Sequence, residues 1–355
     1  NKLYQAEIVD GIKVIRIWTY LAANKGAAKR IINFVSYMVS SSFFGLFVPK
    51  VDLIISTSPQ FFCGWAGLIC AKLRFKKNIL EIRDIWPESI VAVGAMKDSK
   101  ALRVFEWLEL KMYKWSSHIV TVGEGYKENL LGKAVADKKI SIVTNGLDKD
   151  QFVPQDASPE LLKEYSLDDK FICSYIGTVG MASALEVVIR AATKLKEENN
   201  EEIHFLIVGD GAERERLFLE AQKLELKNIT FTGRQPKEKM APFLATSDVC
   251  LVHLRKTDLF KTVLPSKIFE AAGMAKAIVI GVPGQAQEII EKANAGLCIE
   301  PENEDELITA LKSLSSDRDQ LKLHGESGRD YILEHYDRDK LAEDYLEIIK
   351  KIARI

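Results

Sequence analysis

Phe171-Ile172-Cys173-Ser174-Tyr175-Ile176-Gly177-Thr178-Val179-Gly180 is a largely apolar six-residue run that ends in a turn bracketed by glycines. Beyond it, Leu185, Val188, Ile189, Ala192 and Leu195 recur at helical spacing. A strand, a glycine turn and an amphipathic helix in that order make up half of a parallel βαβ unit. Glycine at the turn lets the backbone approach a ligand closely, and the free N–H groups of a helix start favour a phosphate. An ordinary tight strand-to-helix connection reads the same way, so the turn needs support from its neighbours.

The same alternation continues on both sides. Downstream, Ile203–Val208 ends at Gly209-Asp210-Gly211, Ile229–Thr232 ends at Gly233-Arg234, and Val249–Leu254 and Ala277–Ile280 read as further strands. The Gly209-Asp210-Gly211 turn lacks the third glycine of a dinucleotide fingerprint and opens no first βαβ unit, which argues against a nicotinamide site. Upstream, Val51–Ser56, Asn78–Ile82, His118–Val122 and Ile140–Val143 are strands separated by helical stretches, and Ile8–Trp18 reads as strand around the turn pair Asp10-Gly11. Asn145-Gly146-Leu147-Asp148, with Pro154 and Pro159 after it, breaks the pattern like a linker. Leu341, Tyr345, Ile348, Ile349 and Ile352 mark an amphipathic helix near the end. The fold class is therefore α/β with parallel sheets, in two domains, as 355 residues also suggest.

Composition narrows the function. With 47% hydrophobic and 28% charged residues, disordered and collagen-like classes are excluded. The five cysteines stand singly and the five histidines form no metal-ligand spacing, so no metal cofactor is expected and a reduced, cytoplasmic protein is. No GxSxG elbow is present. Charge is uneven: 21 Lys+Arg stand against 13 Asp+Glu through Asp148, and 28 against 37 after it. A basic first half suits an anionic surface or substrate, although drift of solvated charge gives the same count. Ile31–Val48 holds 18 residues without a charge, four of them Ser. It reads as a core helix, as an element lying in a bilayer interface through Phe43, Phe44, Leu46 and Phe47, or, least well, as a membrane span.

Ligands in doubly wound sheets bind beyond the carboxyl ends of strands, so residues there are the candidates. Leu264-Pro265-Ser266-Lys267-Ile268-Phe269-Glu270 reads as a helix start with Lys267 and Glu270 on one face. A cation in a first helical turn opposes the helix dipole, a cost an adjacent anion would offset. Glu270 suits a ribose diol; a surface ion pair is the plainer reading. Arg83-Asp84-Ile85-Trp86-Pro87-Glu88 places two acids and a Trp after a strand. Trp86 suits a sugar platform, a packed hinge or a plug at the domain rim.

These stretches, together with Tyr175–Met181, Val208–Gly211, Phe231–Arg234 and Asn145–Asp148, resemble in order the retaining glycosyltransferases of family 4 (group 1), of GT-B fold. The Asp-Ile-Trp-Pro-Glu-Ser stretch is most like the L-fucosamine transferases of bacterial O-antigen and capsule synthesis. The resemblance implies two facing Rossmann-like domains. The acceptor-side domain spans 1–148, with helix 338–355 packing back on it, and the nucleotide-sugar domain spans 149–337. It implies transfer of a hexosyl unit, N-acetyl-L-fucosamine by the narrower likeness, from a UDP-linked donor to a polyprenyl-linked saccharide. No metal takes part, and the enzyme sits on the anionic inner face of the cytoplasmic membrane. It assigns the diphosphate to Gly177, Thr178, Gly180, Pro265, Ser266 and Lys267, the ribose to Glu270, the base to Arg234 and Gln235, the domain crossing to Asn145 and Gly146, and the acceptor side to Asp84 and Glu88. An epimerase of the same fold, or a catalytically silent GT-B-like partner subunit, are the alternatives. The chain departs from the family in three ways. Thr262 stands where a second glutamate is common, the Gly177–Ala182 loop carries no base, and the opening strand and glycine loop are missing ahead of Ile8–Trp18.

Overall fold

The structure is a computed structural model and describes residues 3–21, 27–94 and 99–354. The chain forms two compact units, residues 1–143 with 343–355, and residues 144–342.

In the first unit, β1 (Tyr4–Val9) and β2 (Ile12–Ile17) form an antiparallel hairpin. The expected single strand over Ile8–Trp18 is thus two, because Asp10 and Gly11 both take positive φ (49° and 80°), the geometry of a tight hairpin turn. Helix α1 (Ala27–Gly45) leads to β3 (Leu53–Ser58), α2 (Phe61–Leu73), β4 (Lys77–Ile82), the short α3 (Glu88–Ala92), α4 (Lys100–Trp115), β5 (His118–Thr121), α5 (Glu124–Gly132) and β6 (Ile140–Ile142). Strands β3 to β6 pair in parallel in sequence order. Ile79, Leu80, Ile82 and Ile119 are wholly buried in that sheet, each worth about 1.5–3 kcal/mol relative to exposure. Among the described residues no helix is long and apolar enough to cross a membrane, which removes the spanning reading of Ile31–Val48. The core-helix reading also fails at its end, where Phe43 is 57% and Phe47 70% exposed.

The second unit begins with α6 (Pro159–Tyr165) and continues β7 (Phe171–Ile176), α7 (Glu186–Glu197), β8 (Ile203–Val208), α8 (Arg214–Lys223), β9 (Ile229–Gly233), α9 (Met240–Thr246), β10 (Val249–His253), α10 (Lys267–Gly273), β11 (Ala277–Gly281), α11 (Gln285–Ala293), β12 (Gly296–Cys298), α12 (Glu304–Ser316), α13 (Arg318–His335) and α14 (Arg338–Ala353), whose last turns belong to the first unit. Six parallel strands run in the order β12-β11-β10-β7-β8-β9. Strands β8, β10 and β11 are buried at every position, as a sheet covered on both faces requires. Val188, Phe205, Leu251 and Leu311 pack on one face; Cys250, Ile268, Ile280 and Ile290 pack on the other. The chain leaves β7 towards β8 and β9, then returns to β10 on its other side. Gly177 therefore lies at the switch point of the sheet, where a crevice opens. The three-residue β12 was not foreseen, being too short to show a period.

The Asn145–Asp148 stretch is a clamp rather than a free linker. Leu147 N–H donates to Tyr336 O (2.8 Å), and Arg338 N–H donates to Leu147 O (3.1 Å). Arg338 pairs with Asp148 and Lys149 with Asp337, each at 2.8 Å. Phe152 is buried. These bonds carry residues 144–148 and 338–342 into the second unit, so its boundaries fall at Val143/Thr144 and Ala342/Glu343. Of the tail expected over 338–355, Ile355 lies outside the described residues.

Candidate functional site

At the switch point the backbone comes close to itself. Gly209 has φ +142°, and a Cβ there would overlap the carbonyl oxygen of Gly177. Gly177 has φ +139°, and a Cβ there would lie 2.6 Å from Cε of Lys267. Only glycine meets both demands, of conformation and of space. The two turns are cross-linked by Gly177 N–H donating to Val208 O (2.8 Å) and Val179 N–H to Asp210 O (3.1 Å). The N–H groups of Thr178 and Gly180 find no acceptor among the described residues. A cleft of about 440 Å³ opens here, lined by Gly177, Thr178, Gly209, Asp210, Arg234 and Gln235 among others. Arg234 is exposed and without a hydrogen-bond or charge partner among the described residues. Gln235 is held by its Nε2 donating to Thr232 O (3.1 Å).

Lys267 opens α10 and lies against Gly177. Its Nζ sits 3.4 Å over the ring of Tyr175, and among the described residues the ammonium has no hydrogen-bond or ion-pair partner. Burial pushes its pKa down to about 7, opposed by the carboxylate of Glu270. Glu270, one turn on, is half-buried and likewise unbonded among the described residues. Burial raises its carboxyl, against Lys267, Arg338 and Lys237. Lys267 and Glu270 flank a small void of about 10 Å³ that also touches Ser174 and Cys250. Ser266 stands at the start of α10 with helical backbone, and its hydroxyl makes no capping bond. Pro265, Ser266, Lys267, Gly180 and Glu270 do not line the larger cleft.

The acids after β4 present a different picture. Asp84 accepts a hydrogen bond from Ser89 Oγ (2.8 Å), and burial raises its carboxyl. Both oxygens of Glu88 are engaged, one by Lys133 Nζ (2.8 Å) and one by Asn129 Nδ2 (3.0 Å). Lys133 also bridges buried Glu109 (2.8 Å), which accepts from Tyr113 Oη (2.6 Å). Trp86 packs between Phe61 (4.5 Å, tilted) and Phe105 (4.9 Å, edge to face), and Pro87 is buried, so this Trp packs the rim rather than offering a sugar platform. Gly146 belongs to the clamp, close against Leu341, the Tyr336 carbonyl and Arg338 N, and Asn145 precedes it in the chain. Sequence reasoning missed Tyr175, Asp210 and Arg214. Arg214 opens α8 beside Gly233, and its Nε is buried without an acceptor. An aromatic hydroxyl inside an otherwise buried strand was the available signal for Tyr175. Among the described residues no three His, Cys, Asp or Glu side chains gather to hold a metal ion.

Residues 158–331 match the family Glycosyl transferases group 1. A glycosyltransferase of Methanocaldococcus jannaschii is 23% identical over 88% of this chain and 78% of its own. WcaI of Escherichia coli, named for colanic acid biosynthesis, is 26% identical over 93% and 82%. Among solved structures, Thermosynechococcus elongatus sucrose-phosphate synthase superposes with a TM-score of 0.76 at 16% identity, covering 99% of this chain and 86% of that one. Anabaena HepE in complex with UDP-glucose does so with 0.73 at 14% identity, covering 92% and 84%. The two Rossmann-like units with parallel sheets are those of the GT-B fold. Residues 158–331 thus form a group 1 glycosyl transferase domain.

Proposed function

We propose that the protein transfers a hexosyl unit, with retention, from a UDP-linked sugar to a lipid-linked saccharide in cell-surface polysaccharide synthesis. N-acetyl-L-fucosamine is the sugar suggested by the Asp84–Ser89 stretch. One observation carries the reading: the Gly177–Thr178 turn and Arg234 line one cleft at the sheet's switch point, and Lys267, without an ion-pair partner among the described residues, lies against Gly177 beside it. An anionic diphosphate supplies what each of them lacks.

In this reading the bond between the anomeric carbon and the diphosphate breaks, and its electron pair leaves on the phosphate oxygen. Lys267 and the loop amides stabilise the charge that grows there, Glu270 holds the ribose and Gln235 the base. The acceptor oxygen bonds the anomeric carbon from the same face. Its proton passes to Asp84 or to the departing phosphate, with no metal ion involved. Glu88 is already committed to Lys133 and Asn129 and serves structure. A lipid-linked acceptor places the enzyme at the inner face of the cytoplasmic membrane. Exposed Phe43 and Phe47 support that placement, while Phe44 stacks on Tyr4 instead.

A thermal-shift series with UDP, GDP, ADP and their sugars tests the donor, since a ligand of the native state raises the melting temperature. UDP compounds should shift it most; no shift with any nucleotide would end the reading. Flotation with anionic vesicles, with and without Phe43→Ser and Phe47→Ser, tests the membrane.

A further inference from the structure

Tyr175 is 1% exposed, yet both ends of its side chain are occupied at the glycine loop. Its hydroxyl donates to Thr178 O (2.8 Å) and meets Ser183 Oγ at 2.6 Å, while Ser183 Oγ donates to the same carbonyl (3.0 Å). Both hydroxyls thus fix the turn that leaves β7. Behind them, His253 Nδ1 donates to Ser183 O (2.8 Å), and its Nε2 accepts from Glu302 N–H (2.8 Å). That ring is buried and satisfied on both nitrogens, and burial lowers its pKa. The face of the Tyr175 ring is the only partner of the Lys267 ammonium among the described residues. An aromatic face attracts a cation without neutralising it.

We propose that Tyr175 is a positioning residue of the donor site: its hydroxyl sets the Gly177–Gly180 loop, and its ring seats the Lys267 amino group beside that loop, where the donor diphosphate is the counter-charge of the ammonium. This rests on the nucleotide-sugar reading of the cleft. The ionisable groups around Lys267 are few. Glu270 lies on its own helix, with Lys237 and Arg338 acting on that carboxylate. Tyr175 comes from β7 and Cys250 from β10, with burial raising their pKa values to about 12 and about 11, so both stay neutral near pH 7. Lys267, lowered to about 7, is the group that changes charge there. Below that pH the site meets the diphosphate already charged. Above it, a proton must be taken up on binding, and affinity falls.

The test is calorimetric titration of the full chain with UDP-glucose, whose diphosphate keeps one charge state across the range. In the parent, affinity should fall by up to about tenfold per pH unit above neutrality. The apparent enthalpy should vary with the buffer's ionisation enthalpy, which reports the proton taken up. Tyr175→Phe keeps the ring and should retain that pH slope, with a severalfold loss at every pH from the loosened loop. Tyr175→Leu removes the ring and should start the slope at lower pH; Tyr175→Met, of similar volume, should do the same if the Leu variant fails to fold. Lys267→Ala should bind weakly and without pH dependence. A folded Leu or Met variant with the parent's profile overturns the inference, as does a parent with no proton uptake. If Lys267→Ala binds UDP-glucose as the parent does, or the parent binds no UDP-glucose, the donor-site reading falls and takes this inference with it.

Discussion

The charged groups after β4 and those at the start of α10 sit in comparable places, each beyond the carboxyl end of a parallel strand, yet their accounts differ. Around Glu88, charge is closed on itself: Lys133 serves Glu88 and both oxygens of Glu109, Tyr113 also donates to Glu109, and Asn129 takes the other oxygen of Glu88. Around Lys267, charge is left open, with an ammonium over a ring, a carboxylate one turn on, and neither bonded among the described residues. A partly buried charge without a counter-ion costs stability. In the proposed reading the missing partner is the donor diphosphate. Burial does not separate the two regions, since it raises the carboxyls of both Glu109 and Glu270; the partners do.

The sharpest way to break the comparison is to open the closed network. Lys133→Met leaves the Glu109 carboxylate, with 2% of its side chain exposed, without its cation. That should cost about 3–5 kcal/mol in denaturant unfolding while leaving UDP affinity unchanged. Next come Lys267→Ala and Glu270→Gln. Each should weaken nucleotide-sugar binding by about 1.5–3 kcal/mol in calorimetry. Lys267→Ala should also raise thermal stability at pH 7 and below. The sign follows from linkage: the folded pKa of about 7 lies below the unfolded value, so the native state binds fewer protons between them. The parent's stability therefore climbs from pH 7 towards 10, and the variant's advantage should shrink over that span. Loss of the advantage at low pH rather than high pH would mean that Lys267 is paired. Glu88→Gln should cost about 1 kcal/mol or less, its side chain being 37% exposed, and should keep transferase activity, whereas Asp84→Asn should lose it. An inactive, stable Glu88→Gln would return that residue to the chemistry. The smallest effect belongs to Ser266→Ala. With no capping bond to lose, stability should stay within about 0.5 kcal/mol, and any fall in donor affinity would then be a direct measure of its hydroxyl.

Much of this was legible beforehand, for reasons specific to each element. Strands β7 and β8 read with the same ends in sequence and structure, because a fully buried parallel strand is an unbroken apolar run closed by glycine. The Gly177 and Gly209 turns were legible because no other residue suits their backbone and spacing. The hairpin at Asp10-Gly11 was half read, its turn pair noticed and its two strands merged. Less legible was anything set by partners distant in sequence. Nothing near Glu88 announces that Lys133 will take it, and nothing in Asn145–Asp148 foretells that Tyr336 and Arg338 will hold it. Tyr175 passed as core because a strand's period assigns a side chain to a face, not the contacts of its hydroxyl.

The division of the chain has a consequence for how it is made. The first unit consists of residues 1–143 and 343–355, with the whole second unit encoded between them. On the ribosome, where domains fold in order as they emerge, the unit begun first is the one completed last. Its four-stranded sheet must wait, without the final turns of α14, through the synthesis of nearly two hundred residues. The second unit needs nothing from beyond Ala342 and has its clamp residues in hand by then. Translation arrested near Ala342 should therefore release a nascent chain whose later half resists protease and whose earlier half does not.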